Sequence, residues 1–126
     1  MKHQEWINAL RSGDYEQGNN RLRTLDNKFC CLGVLCTLMP GKWHDDQFVY
    51  KEERAAYTLP DTLANELDIP CSGYNYSQEE LEGYFDDSVI VSAISDSDME
   101  EGISLAALND AGATFEQIAN LLENKS

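Results

Sequence analysis

Phe29-Cys30-Cys31-Leu32-Gly33-Val34-Leu35-Cys36 puts three of the chain's four cysteines into one short apolar run. Thiols so placed could ligate a metal, act as nucleophiles, or pack as small core side chains. Structural zinc uses C-x₂₋₄-C pairs joined to a second Cys or His pair. Here a vicinal pair, Cys30-Cys31, stands in that place, Cys36 is five and six residues on, and His3 and His44 are not paired. On a helix, at about 100° per residue, those spacings do not converge on one face. A nucleophilic thiol needs a cation or a helix N-terminus to lower its pKa. Cys30 or Cys31, with Lys28 adjacent and His44 in the same half of the chain, meets that condition only in part. Free cysteine is also among the most buried residue types. The run is apolar nearly all round, the mark of a buried helix, and that packing reading is preferred. Gly33 in its middle costs about 0.5–1 kcal/mol relative to Ala, which predicts close approach by another element.

Two other groups of residues have the chemistry of a site. Arg11, Arg21 and Arg23, with Tyr15 and Gln17, flank a Gly- and Asn-containing turn. Cations, an amide and a ring are what a phosphate-bearing ligand requires, and paired surface charge is the plain alternative. Asp86, Asp87, Asp96, Asp98, Glu100 and Glu101 form an acidic tract. Within it, Asp96-x-Asp98-x-Glu100 has the spacing of a calcium loop, but the central Gly is missing and Ala107 stands where the bidentate Glu belongs. No metal, cofactor or catalytic residue is expected. No Gly-rich phosphate loop, G-x-S-x-G or H-E-x-x-H is present.

The elements that position these residues follow from periodicity and capping. Residues 2–12 read as an amphipathic helix through Trp6, Ile7 and Leu10, stopped by Gly13. Leu22 and Leu25 read as anchors of the next segment, and Phe29 to Leu38 as the second helix, ended by Pro40-Gly41. Residues 47–50 and 55–59 read as two short strands of a hairpin, with the charged loop 51–54 between them. Pro60 sits where a first helical residue is tolerated, ahead of Leu63 and Leu67. Ser77-Gln78-Glu79-Glu80 and Thr114-Phe115-Glu116-Gln117 have the form of capping boxes, and Ser104 caps Leu105 to Leu108. The run from Ser88 to Ile94 reads as a third strand, and Ser95 to Gly102 as a mobile loop. The expected architecture is a single α+β domain over residues 1–126. It has several short helices around the Cys-rich one, a small antiparallel hairpin or sheet, and a mobile acidic insertion at 71–102.

Charge divides the chain. Residues 1–54 carry eight basic and eight acidic groups, whereas residues 55–126 carry fifteen acidic groups and one basic, Lys125, so the whole net charge of −14 lies in the second half. Such a half repels nucleic acid and membrane surfaces and attracts cationic partners. The first residues, Met1 to Trp6, contain no apolar stretch of a secretory signal. A cytoplasmic setting with reduced thiols is expected.

The order of motifs resembles a family of small, mostly uncharacterised proteins of bacteriophage and prophage genomes. The resemblance is carried by Trp6-x₂-Ala9-Leu10-Arg11-Ser12-Gly13-x-Tyr15-x-Gln17-Gly18, the cysteine run, Leu59-Pro60, and Leu105-x₂-Leu108-Asn109-Asp110-x-Gly112-x₂-Phe115-x₂-Ile118-Ala119. It implies a phage accessory product in a bacterial cytoplasm. By analogy that is a non-catalytic counter-defence factor, inhibiting a host protein through its acidic surface. The alternative is sequestration or cleavage of a nucleotide immune signal in a basic and aromatic pocket built on Arg11, Tyr15, Gln17, Arg21 and Arg23. Direct nucleic-acid binding and membrane insertion are not expected, and a homodimer is compatible with either reading.

Overall fold

A computed structural model of the chain describes residues 2–95 and 102–125. Among them are seven helices and five short strands of a small α+β domain. Helix α1 (Lys2–Arg11) ends at Gly13, whose φ of +81° lies in the left-handed region that turns the chain out of a helix. It packs along the C-terminal helix α7 (Phe115–Lys125). The Thr114 box that opens α7 is complete: Thr114 N–H donates to Gln117 Oε1 at 3.0 Å and Gln117 N–H to Thr114 Oγ1 at 3.1 Å.

Helix α2 (Cys31–Thr37) lies at the centre of the core, and every residue from Cys31 to Cys36 is buried. The chain reaches it through a tight weave. Phe29 donates its N–H to Glu16 O and accepts from Gly18 N, while Cys30 N–H donates to Leu22 O. Leu22 is fully buried, as an anchor should be, but Leu25 is 80% exposed and anchors nothing. It lies at the tip of the turn that Asn27, at φ +65°, helps to close.

The sheet has one strand more than expected. Strands β1 (Lys42–His44), β2 (Gln47–Tyr50) and β3 (Glu53–Ala55) form an antiparallel meander, with Trp43, Phe48 and Ala55 in register across it. The hairpin turns on Lys51 and Glu52, both at positive φ, so β3 begins two residues before the strand expected at 55–59. A turn of this kind usually has Asn-Gly or Gly-Gly, so Lys-Glu gave no signal. Residue 56 continues the sheet region by accepting Leu22 N–H at 2.7 Å.

Helix α3 (Asp61–Leu67) starts with Pro60 as its N-cap and ends at Asp68, left-handed at φ +58°. Strand β4 (Asn75–Tyr76) pairs with β5 (Ile103–Ser104). The Ser77 box opens a single turn, α4 (Gln78–Leu81). The third strand expected at 88–94 is instead helix α5 (Asp87–Ser95), with Ile90 and Ala93 buried three apart on its inner face. Helix α6 (Leu105–Asp110) is capped by Ser104, which accepts Ala107 N–H at 3.1 Å. The described part of the segment expected as a mobile insertion therefore lies on the core, through Tyr76, Leu81, Phe85, Ile90 and Ala93. No helix among the described residues is long and apolar enough to cross a membrane.

Candidate functional site

The cysteine run is built as core. Cys30 is the N-cap of α2, its Sγ accepting Gly33 N–H at 3.4 Å. That is the position expected to favour a thiolate. Burial outweighs it: desolvation pushes the Cys30 thiol up to about 11, against which the backbone N–H groups act only weakly. Desolvation also raises Cys31 and Cys36, both buried. Cys71 is half-buried and its Sγ lies 3.1 Å from Asp61 Oδ1; burial and that carboxylate hold it protonated as well. Gly33 explains itself by geometry. A Cβ there would stand 1.8 Å from Leu22 O, so the Leu22 backbone crosses directly over the helix. Among the described residues no group of three His, Cys, Asp or Glu could hold a metal ion.

The structure divides the five residues expected to form a phosphate site. Arg11 turns to α7, donating to Glu123 Oε2 at 2.7 Å and to Asn120 Oδ1. Gln17 turns inward and donates to Ala113 O at 2.6 Å and Asn109 Oδ1 at 2.9 Å. Tyr15 packs edge-on to Phe29 at 5.5 Å and accepts from Thr37 Oγ1 at 3.1 Å. Arg21 and Arg23 meet at the β1–β2 turn, while Gln17 and Arg23 bridge to Phe29 by backbone and Tyr15 touches the same residue by its ring. Arg21 pairs with Asp46 and lies 5.1 Å from the Tyr57 ring centre. Arg23 donates to Asp45 O and lies 5.6 Å from the Trp43 ring centre.

Asn109 stands in the motif after Leu105, but its type and place gave no sign of a buried role. It is fully buried. Its Oδ1 accepts Cys31 N–H at 3.1 Å and Gln17 Nε2, and its Nδ2 donates to Gly18 O at 2.9 Å. Asn20 N–H donates to the neighbouring Asp110 Oδ1 at 2.8 Å. The Gln17–Gly18 and Asn109–Asp110 motifs thus meet as one polar clasp on the end of α2.

The acidic half presents the surface. Asp68, Glu79, Glu82, Asp86 and Asp87 are exposed, and among the described residues none has a cation within 4.0 Å. Val91, 62% exposed, follows Asp87 by one helical turn. Asp96, Asp98, Glu100 and Glu101 lie outside the described residues. Between α4 and α7 is a cleft of about 180 Å³, lined by Tyr76, Glu80, Tyr84, Leu121 and Asn124. An open groove of about 480 Å³ follows residues 53–61, with Arg54 and Tyr57 in its lining.

A family model described as a domain of unknown function, DUF8296, matches the chain over residues 1–126. No curated protein and no solved structure matches it.

Proposed function

The chain belongs to the DUF8296 family of domains of unknown function, and from that premise we propose a binding protein that inhibits its partner by covering a cationic surface with its own acidic half. One observation supports this most. Five exposed carboxylates from Asp68 to Asp87 have no cation near them among the described residues, and residues 55–124 contain no Lys or Arg. Unpaired like charges repel one another in the free protein, and a basic partner relieves that repulsion and is steered in by it. Val91 supplies an exposed apolar contact one turn from Asp87. The setting we propose is the one the motif resemblance implies: a phage-borne counter-defence product acting on a host protein in the bacterial cytoplasm.

The test compares wild type with an Asp86→Asn, Asp87→Asn variant, each immobilised and exposed to bacterial lysate at about 0.05 and about 0.5 M salt. The expected result is a discrete protein held by wild type at low salt, released at high salt and missed by the variant. Capture that is indifferent to salt and to the substitutions would falsify the reading.

A second reading has its own support. The groove along residues 53–61 has the volume of a nucleotide-sized site, within the roughly 300–1,000 Å³ usual for small ligands. Arg54 and Tyr57 line it, and Arg21 sits by the Tyr57 ring. Sequestration of a nucleotide signal there predicts that bound nucleotide is recovered intact when the protein is denatured. Recovery of a cleaved product would make it an enzyme, and no retention at all removes this reading.

A further inference from the structure

The cleft between α4 and α7 has a composition unlike the rest of the acidic surface. Its inner lining is Tyr76 and Leu121, both buried; Tyr84 is half-buried, and Glu80 and Asn124 are exposed at the rim. At about 180 Å³ it is smaller than the roughly 300–1,000 Å³ of ordinary small-molecule sites. It is the size for one long side chain.

The chemistry of the lining selects which side chain. Tyrosine rings attract cations through their quadrupole, and more strongly where water is excluded. The carboxylate of Glu80 is held in place, because its Oε1 accepts Ser77 N–H at 2.9 Å in the capping box. An anionic side chain entering the cleft would meet that carboxylate at its rim. An apolar side chain would cover Leu121 but strip water from Glu80 without replacing its hydrogen bonds. A Lys or Arg side chain satisfies all parts at once: its methylene stem lies on the apolar lining and its charged head reaches the carboxylate and the rim.

We propose that this cleft is a socket for a single Lys or Arg side chain of a partner protein. The inference rests on the acidic half being the binding surface and supplies its anchor point, the buried centre that a merely charged patch lacks.

The test titrates the full chain with N-acetyl-arginine amide, N-acetyl-lysine amide and, as the neutral shape control, N-acetyl-citrulline amide, following backbone amide signals by NMR. The cationic probes should move the signals of Tyr76, Glu80, Tyr84, Leu121 and Asn124 as a group, and citrulline should not. The tighter of the two cations names the anchor residue of the partner. Glu80→Gln keeps the capping box, since Gln serves at that position as well, and should weaken the cation by about two- to five-fold. Tyr84→Leu keeps an apolar wall and should weaken it by a similar factor. Equal response to citrulline, shifts spread across the whole acidic face, or unchanged affinity in Glu80→Gln would each overturn the socket. Poly-lysine separates this from the broader reading. Tight, salt-sensitive binding of poly-lysine that is equal in wild type and Glu80→Gln discards the socket and keeps the acidic surface. No binding of poly-lysine discards both.

Discussion

A primary amide offers two acceptor and two donor positions, and Asn109 spends three of the four inside the core. Two donors reach its oxygen, from Gln17 and from the backbone of Cys31, and its nitrogen serves Gly18 O. Those partners come from two separate stretches of chain and Asn109 from a third, so a single side chain fixes the turn at 17–18, the start of α2 and the end of α6 against each other. Replacing it by Ala removes its three hydrogen bonds, leaves the buried Cys31 N–H without that acceptor at a cost of about 1–3 kcal/mol, and takes one donor from Gly18 O. Asn109→Ala should therefore lose about 3 kcal/mol or more of stability, read as a lower urea midpoint with an unchanged slope. Gln17→Ala keeps the other two bonds of Asn109 but also takes the donor from Ala113 O, and should lose less, about 1–2 kcal/mol. A loss at Asn109 no larger than at Gln17 would contradict the clasp. Neither role was legible from residue type. An Asn near a helix end and a Gln in a polar turn look like surface residues, and what they bond to is decided by a fold that joins positions about 90 apart in sequence. The same limit explains Arg11, which reads as a ligand cation in a one-dimensional list but faces Glu123 and Asn120 across the α1–α7 packing.

Elements read from local signals fared better than single polar residues. The capping boxes at Ser77 and Thr114, the Ser104 cap and the Gly13 stop each work within about four residues and stand where expected, whereas α2 begins at Cys31, two residues after the expected start, because Phe29 bridges to the chain at 17 and 23. The errors fall where local signals are silent or shared. Ser88 to Ile94 is rich in Val and Ile, and a short apolar run of that kind suits a strand or a helix equally; α5 wins because Ile90 and Ala93 reach the core together on a helical face. The hairpin after Tyr50 was expected, but its turn is two residues long, Lys51-Glu52, and no turn residue announces that length. Gly33 is the informative intermediate case. Its helical cost was visible in the sequence, and the structure supplies the reason, the Leu22 carbonyl crossing α2. Because the obstructing atom is backbone and Leu22 O also accepts Cys30 N–H, neither side can yield without breaking the weave. Gly33→Ala should cost about 3 kcal/mol despite the better helix propensity of Ala. Thermal unfolding of the variant measures it, and a gain in stability would show that the crossing is looser than described.

At the scale of the whole molecule, residues 55–126 hold fifteen carboxylates and a single Lys. Among the described residues, surface ion pairs offset some of them: Arg11 with Glu116 and Glu123, and Lys51 with Glu66. Exposed pairs of this sort contribute about 0–1 kcal/mol each. Two effects therefore oppose each other when salt is added. Screening weakens those pairs, which destabilises, and it weakens repulsion among the unpaired acids, which stabilises; at about 0.1 M the screening length is about 10 Å. The net charge of −14 makes the repulsive sum the larger. Raising sodium chloride from about 0.02 to about 0.5 M should raise Tm by about 3–6 °C. Asp68→Asn with Glu82→Gln should give part of that gain at low salt and shrink the salt response. Both substitutions suit their places, since Asn tolerates the left-handed backbone of Asp68 and Glu82 only follows the last turn of α4. A Tm that falls with salt would mean that attraction dominates this surface. It would then hold no repulsion for a cationic partner to relieve, and the inhibitor reading would lose its driving force.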